Sequence, residues 1–276
     1  MGKIIDAHAH ACGEYLTSEK ILKKLDAAGC DMVVLTPGQY GSKVTYGLKN
    51  LATKHPYDDV VSKNNKTTRL MIKLIRAIKD IPKGNEYVWQ LKKELPEKVL
   101  QSYWITKANV MNLGQDYERM HFDLVKMHQC WEDFEIGDDY FCKAATWAEQ
   151  NEVPMFIHIL NQTEMKKLIL YIKEHPNMKF IIGHLYWLEL FLEGSKEAFR
   201  NVYFDLSNGY FVSKERIMLG YSHFGAEHFL LGSDTPYGKK SLELTLSMIK
   251  KLDITEEDLD KICGLNILKL LGRSEL

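Results

Sequence analysis

Short apolar runs alternate with longer amphipathic stretches along most of the chain. Eight runs read as strands: residues 3–8, 32–36, 99–110, 122–128, 154–159, 179–184, 202–206 and 229–234. Several are nearly continuous in Ile, Val, Leu, Phe and Met, as strands buried on both faces are. The stretches between them carry helical spacing. In 18–28, Ile21, Leu22 and Leu25 share a face, Thr17 or Ser18 can cap the start, and Gly29 stops the run. Residues 140–150, 164–174, 185–199 and 241–252 follow the same rule. Thr255-Glu256-Glu257-Asp258 opens a last helix through Leu271, with Gly264-Leu265-Asn266 as a break inside it. Eight strands alternating with helices predict an α/β fold, a closed (β/α)8 TIM barrel, as one domain over 1–276.

One stretch departs from the repeat. Residues 38–98 show no strand but two helical patterns, 64–81 and 86–95, preceded by Tyr40, Tyr46 and Tyr57. So long a connection after the second strand falls on the side where βα loops build an active site. The reading is a helical cap insertion over the barrel mouth.

Composition changes the picture by exclusion. Hydrophobic residues at 45% and charged residues at 26% fit an ordered globular chain and rule out disorder as its main state. With 36 Lys+Arg against 37 Asp+Glu, gripping nucleic-acid phosphates or an anionic membrane is not its main business. No window approaches a membrane-spanning run, and the start lacks the pattern of a secretory signal. Five scattered cysteines, never in a Cys-x-x-Cys pair, suit reduced thiols. The expectation is a cytoplasmic protein with a small-molecule substrate and no nucleic-acid or membrane partner; a homodimer is compatible with all of this.

The sharpest chemical feature is Asp6-Ala7-His8-Ala9-His10. Residues two apart on a strand share a face, so His8 and His10 project together, with Asp6 one step deeper as a supporting group. Two imidazoles at one strand end are half of a metal site. His158, His184 and Asp234 also fall at strand ends, which converge on one rim of a parallel barrel. Burying so many polar groups without a partner is costly, and a bound divalent ion relieves the cost. Lys126 and His128, two apart on the fourth strand, line the pocket. Asn109 and Tyr237 are candidates for substrate contact, with Lys107, Asn208, Tyr186 and Trp187 near the same rim. His55, His121, His175, His223 and His228 match no strand end and read as surface or loop residues.

These residues carry a resemblance. Ile5-Asp6-Ala7-His8-Ala9-His10, Val153 to His158, Ile182-Gly183-His184-Leu185, Gly232-Ser233-Asp234-Thr235-Pro236 and Lys126-Met127-His128 together resemble the amidohydrolase superfamily. The similar branch includes the relatives of aminocarboxymuconate semialdehyde decarboxylase. The match runs in order from residue 4 to about 238, with 38–98 unmatched. The resemblance implies that His8, His10, His158 and Asp234 hold one divalent ion, zinc first, with manganese or iron as alternatives. It further implies that Asp234 moves the proton of the attacking water, and that His184 contacts that water or the substrate oxygen. Some members bridge two ions with a modified lysine on the fourth strand; the single-ion branch does not, and Lys126 matches that branch.

The leading expectation is a metal-dependent hydrolase using a metal-activated water on an amide, ester or lactone carbonyl. The alternative is a non-oxidative decarboxylase or hydratase acting on a carboxylated substrate at the same site. Decarboxylation needs cations to hold carboxylates, and arginine is the preferred clamp. The arginines are Arg69, Arg76, Arg119, Arg200, Arg216 and Arg273, none at a strand end, which favours hydrolysis; Arg69 and Arg76 in the 38–98 stretch are the exception to watch. A barrel-type phosphoesterase or deoxyribonuclease expects more ions and a glutamate on the fourth strand. A non-catalytic barrel expects missing ligands, and none is missing.

Overall fold

Among the described residues, 2–75 and 81–273 of a computed structural model, eight strands follow one another. They are β1 Ile5–His10, β2 Met32–Thr36, β3 Val99–Trp104, β4 Leu124–His128, β5 Met155–His158, β6 Phe180–Ile182, β7 Val202–Asp205 and β8 Phe229–Leu230. Each pairs in parallel with the next. The ring closes where the Ala7 N–H donates to Leu231 O at 2.8 Å and the Asp234 N–H to His8 O at 2.7 Å. This is the (β/α)8 TIM barrel that the alternation of runs predicts. No helix among the described residues is long and apolar enough to cross a membrane.

The helices are α1 Ser18–Ala28, α2 Val60–Ile75, α3 Ile81–Glu94, α4 Leu113–Met120, α5 Asp139–Gln150, α6 Gln162–Glu174, α7 Leu188–Leu192, α8 Lys214–Phe224, α9 Ser241–Ile249, α10 Glu256–Asp260 and α11 Asn266–Leu270. Their starts follow capping chemistry. Thr17, Asp138, Asn161, Ser213 and Thr255 each accept a backbone N–H of the first turn. Alternation along the strands sorts the core into two layers. Ile5, Val34, Leu100, Leu124, Phe156, Ile181 and Leu230 fill the barrel interior. Leu35, Tyr103, Val125, Ile157, Ile182 and Phe204 face the helices. Each such buried side chain contributes about 1.5–3 kcal/mol.

Four local departures matter. On β1, Asp6 pairs with Val33 but Ala9 pairs with Leu35, so β1 carries one extra residue, a bulge. The third strand ends at Trp104 rather than at residue 110, and the β8 ladder stops at Leu230, four residues before Asp234. The helix expected over 185–199 is broken, because His184, Leu185 and Trp187 hold φ of 57°, 53° and 43°. Left-handed backbone at such residues costs on the order of 1–3 kcal/mol each and clusters at functional sites. The last helix is interrupted by a π turn, Lys261–Leu265. There a Cβ on Gly264 would lie 1.9 Å from the Lys3 carbonyl oxygen, so only glycine lets the C-terminal helices close against β1.

The 38–98 stretch divides. Val88 and Leu91 of α3 pack in the outer layer with Val99 and Tyr103, so α3 serves as the crossover helix into β3. Asn85 of α3 also clasps the Trp104 backbone, accepting its N–H at 2.9 Å and donating to its carbonyl at 3.0 Å. By contrast, α2 reaches the β5 end, where the Asn65 side-chain amide donates to Ile159 O and Leu160 O. Arg76 and the rest of residues 76–80, toward the end of the predicted 64–81 helix, lie outside the described residues.

Candidate metal centre

The β1 bulge decides which side chains enter the barrel. Ile5 and Ala7 belong to the interior cluster, yet His8 also turns inward, its ring 4.4 Å from that of Phe156. The extra residue resets the alternation, so His8 and His10 face the mouth while Asp6 does not share their face. Asp6 lies outside, accepting from Tyr15 OH at 3.0 Å and from the Ser233 N–H at 2.9 Å. Burial pushes its pKa up to about 7 against those hydrogen bonds. A strictly alternating strand puts it on the histidine face, and the bulge is the physical reason it is not there.

At the mouth, Asp234 Oδ1 stands 3.3 Å from His10 Nε2 and 3.6 Å from His8 Nε2, and the three donor atoms lie within 4.8 Å of one another. Bonds of about 2.0–2.1 Å at tetrahedral angles set ligand atoms about 3.4 Å apart. The ring tautomers agree with that use. His10 Nδ1 lies 2.8 Å from Pro37 O, a group that only accepts, so Nδ1 carries the proton. His8 Nδ1 lies 2.9 Å from Asp205 Oδ2 and 3.0 Å from Ser207 Oγ. His8 Nε2 is 2.8 Å from Lys126 Nζ, which only donates, so Nε2 is the acceptor there too. His10 Nε2 thus faces the Asp234 carboxylate, while His8 Nε2 lies between Lys126 Nζ and Asp234 Oδ1. The spacing and chemistry of these donor atoms fit a divalent cation. Asp205 behind His8 and the Pro37 carbonyl behind His10 are the supports such ligands take.

The charges follow from burial. Burial would raise the Asp234 pKa, but the contact with His10 and the His184 and His8 rings hold it well below the usual carboxylate range. Burial also opposes ionisation of Asp205, and His8, His184 and Ser207 outweigh it, so its pKa is lowered. Desolvation pushes Lys126 down to about 8, with Asp234 and Asp205 pulling the other way. Burial and then the Lys126 charge lower the His8 pKa, keeping the ring neutral. His184 Nδ1 lies 2.8 Å from Ser207 O, which leaves its Nε2 as the lone-pair atom.

The β4–β5 rim is lined by a stack. His128 lies flat on His158 at 3.7 Å between centroids and on Trp104 at 5.5 Å. His128 Nδ1 accepts the Cys130 N–H at 3.1 Å. The hydrogen bonds of His158 run through Nε2, to Tyr186 OH at 2.9 Å, Asn65 Oδ1 at 3.3 Å and Cys130 Sγ at 3.6 Å. Burial, then His184 and Lys126, drive its pKa well below the usual histidine range. His158 thus groups with His128 and Cys130 rather than with the His8, His10 and Asp234 trio.

The remaining expectations fall in several places. Tyr237 stands edge-on to His10 at 5.7 Å and stacks on Tyr46 at 5.5 Å, at the edge of the centre. Asn109 spends its amide on the loop after β3, at Trp104 O and the Thr106 N–H. Asn208 donates to Tyr237 O at 3.0 Å, and the exposed Lys107 reaches the Asp133 carbonyl. Arg69 pairs with Asp133. His228, expected at the surface, is buried with Nδ1 2.7 Å from Val202 O. Sequence reasoning missed Asp205 and Asn65. Asp205 carries the same signal as Asp234, a carboxylate at a strand end; Asn65, one asparagine on a polar helix, carries none.

Comparisons with known proteins bear on the family and the fold. The family model described as amidohydrolase matches residues 124–273, more than half of the chain. The fold resembles 5-carboxyvanillate decarboxylase from Sphingomonas paucimobilis, with TM-score 0.67 and 13% identity over 99% of each chain. It resembles 4-oxalomesaconate hydratase from Rhodopseudomonas palustris, with TM-score 0.64 and 15% identity over 98% of this chain and 96% of that one. A probable 2-pyrone-4,6-dicarboxylic acid hydrolase from Acinetobacter baumannii gives TM-score 0.67 and 12% identity over 98% and 99%. No curated protein matches the chain by sequence. An HxH strand on a bulge, a strand-end aspartate and a matching family model converge on one conclusion: the chain belongs to the amidohydrolase family.

Proposed function

We propose that this chain is a metal-dependent hydrolase acting on an amide, ester or lactone of a small organic molecule. His8, His10 and Asp234 hold one divalent ion, zinc first, with manganese or iron as alternatives; His158 is a fourth ligand by the family resemblance alone, since its ring groups with His128 and Cys130. The observation that carries this reading is the convergence of Asp234 Oδ1 with His10 Nε2 at 3.3 Å and His8 Nε2 at 3.6 Å. Such an ion lowers the pKa of a water and polarises a carbonyl.

The protein residues then divide the work. Asp234, ionised at neutral pH, accepts the proton of the attacking water and passes it to the leaving group. His184 presents Nε2 beside His8 and His158, with ring centroids 5.4 and 5.3 Å away, and orients the water or the substrate oxygen. Lys126 supplies positive charge to an oxygen that becomes anionic. His128 and Tyr237 border the substrate, and α2 covers the mouth.

A second reading, a non-oxidative decarboxylase or hydratase, has one specific observation in its favour. Lys126 is a buried cation beside His8 and can hold a substrate carboxylate where no arginine does among the described residues. A panel on metal-loaded protein separates the two. Release of acid from lactones, esters or amides supports the hydrolase. Release of carbon dioxide, or addition of water to an unsaturated carboxylate, transfers the assignment to the second reading. Inertness to the whole panel contradicts both.

A further inference from the structure

The chain after β6 turns left-handed at His184, Leu185 and Trp187, with φ of 57°, 53° and 43°. Such backbone at non-glycine residues persists only where its surroundings over-determine it. Here the surroundings are side chains from other elements. The His184 N–H donates to Asp205 Oδ2 at 3.2 Å, Arg216 Nη2 donates to Leu185 O at 3.2 Å, and the Trp187 N–H donates to Asp59 Oδ2 at 2.8 Å. The last two ties lead to the residues before α2. Arg216, on α8 and 3% exposed, also donates from Nη1 to Tyr57 O at 3.3 Å, and Glu189 of α7 accepts from both ends of its fork. Asp59 caps α2 through its other oxygen, which accepts the Ser62 N–H at 2.9 Å. Ser213 accepts the Arg216 N–H at 3.1 Å and donates its hydroxyl to Pro56 O. A buried guanidinium that joins two distant backbone carbonyls is used as a planar fork, which the point charge of a lysine does not reproduce.

We propose that Arg216 and Asp59 are positioning residues that bind the base of α2 to the left-handed turn and so fix where His184 presents its ring. From this base α2 runs on to the β5 end, where the Asn65 amide donates to Ile159 O and Leu160 O. The segment that covers the mouth and the turn that carries His184 therefore share one set of ties, and a displacement of either is felt at the other. His184 Nδ1 donates to Ser207 O at 2.8 Å, so a shift of the turn alters that bond. The use of His184 on a water or a substrate oxygen rests on the hydrolase reading; the ties do not, and they are measured without a substrate.

The test is amide hydrogen exchange read beside a nitrogen–proton spectrum of the histidine rings, on wild type and three variants. Arg216→Lys keeps the charge but not the fork. It is expected to speed exchange at the His184 and Trp187 amides roughly 5–30-fold and to move the His184 Nδ1–H signal. The Val125 amide, bonded to Pro154 O at 2.9 Å in the barrel wall, should keep its rate. Glu189→Gln removes the ion pair and leaves both carbonyl bonds, so exchange and ring signals should stay as in wild type. Asp59→Ser keeps a capping hydroxyl but is too short for Trp187, and should free the Trp187 and His184 amides together. Wild-type exchange and ring signals in Arg216→Lys overturn the proposal. A Glu189→Gln variant that behaves like Arg216→Lys also overturns it, by assigning the effect to the ion pair between α7 and α8. Equal acceleration at Val125 does the same, by making Arg216 a general staple of the fold. Should Arg216→Lys not fold, Asp59→Ser decides, and a Trp187 amide that loosens with no change at His184 overturns the shared tie. Inertness to every hydrolase substrate removes the catalytic use of His184 and leaves these readings standing.

Discussion

Asp205 Oδ2 lies 2.9 Å from His8 Nδ1, and the same oxygen accepts the His184 backbone N–H at 3.2 Å. One carboxylate at the end of β7 thus ties a β1 ligand to the backbone that follows β6. It holds the His8 proton on Nδ1 and raises the electron density at Nε2. Asp205→Asn keeps the shape and an accepting oxygen but removes the charge. Zinc affinity is expected to fall roughly 10–100-fold, measured by chelator competition. An unchanged affinity would show that Asp205 has no part in orienting the ligand.

Lys126 Nζ approaches His8 Nε2 to 2.8 Å, the atom that the proposed ion would take. Lys126→Met removes a like charge and a donor while keeping most of the side-chain volume. Metal affinity should rise, on the order of tenfold, because a neighbouring cation no longer opposes the ion. A loss of metal in this variant would instead make Lys126 a ligand or a bridge between two ions.

Gly264 closes the C-terminal helices onto the residues before β1. Gly264→Ala places a methyl group 1.9 Å from the Lys3 carbonyl oxygen, where only backbone movement can make room. The urea midpoint should drop by the equivalent of about 1–3 kcal/mol. A wild-type midpoint would mean that the π turn yields freely.

His228 gives the stability a pH dependence of known sign. Burial lowers its pKa below 6.5, and its Nδ1–H donates to Val202 O. The unfolded chain therefore binds the proton first. The contribution of His228 is present in full above its unfolded pKa and is lost as pH falls through 6.5 toward the lower folded value. His228→Gln should flatten the part of the stability profile between about pH 7.5 and 5.5 that His228 contributes, followed by urea melts. An identical slope in wild type and variant would place the titration elsewhere.

The barrel was legible because its strands are buried on both faces and its helices carry ordinary caps. The Val202 to Leu206 and Pro154 to Ile159 runs needed nothing beyond hydrophobic continuity. The β1 bulge was not legible, since one extra residue in Asp6 to His10 leaves the letters unchanged and alters only the pairing with β2. The broken backbone after β6 hid behind good helix formers, because left-handed His184 and Leu185 are imposed by the surrounding contacts. Asp205 was readable in principle, by the same rule that found Asp234. Asn65 was not, because its place comes from the Ile159 and Leu160 carbonyls just after β5, which sequence spacing does not reveal.

The central claim is that His8, His10 and Asp234 share one cation. Elemental mass spectrometry of tag-free protein, reconstituted with zinc and freed of excess, tests it most directly beside His10→Ala and the distant His228→Gln. The account predicts one ion per chain in wild type and His228→Gln, and loss of that ion in His10→Ala. Metal-free wild type after reconstitution, or a His10→Ala variant that keeps its ion, would contradict it.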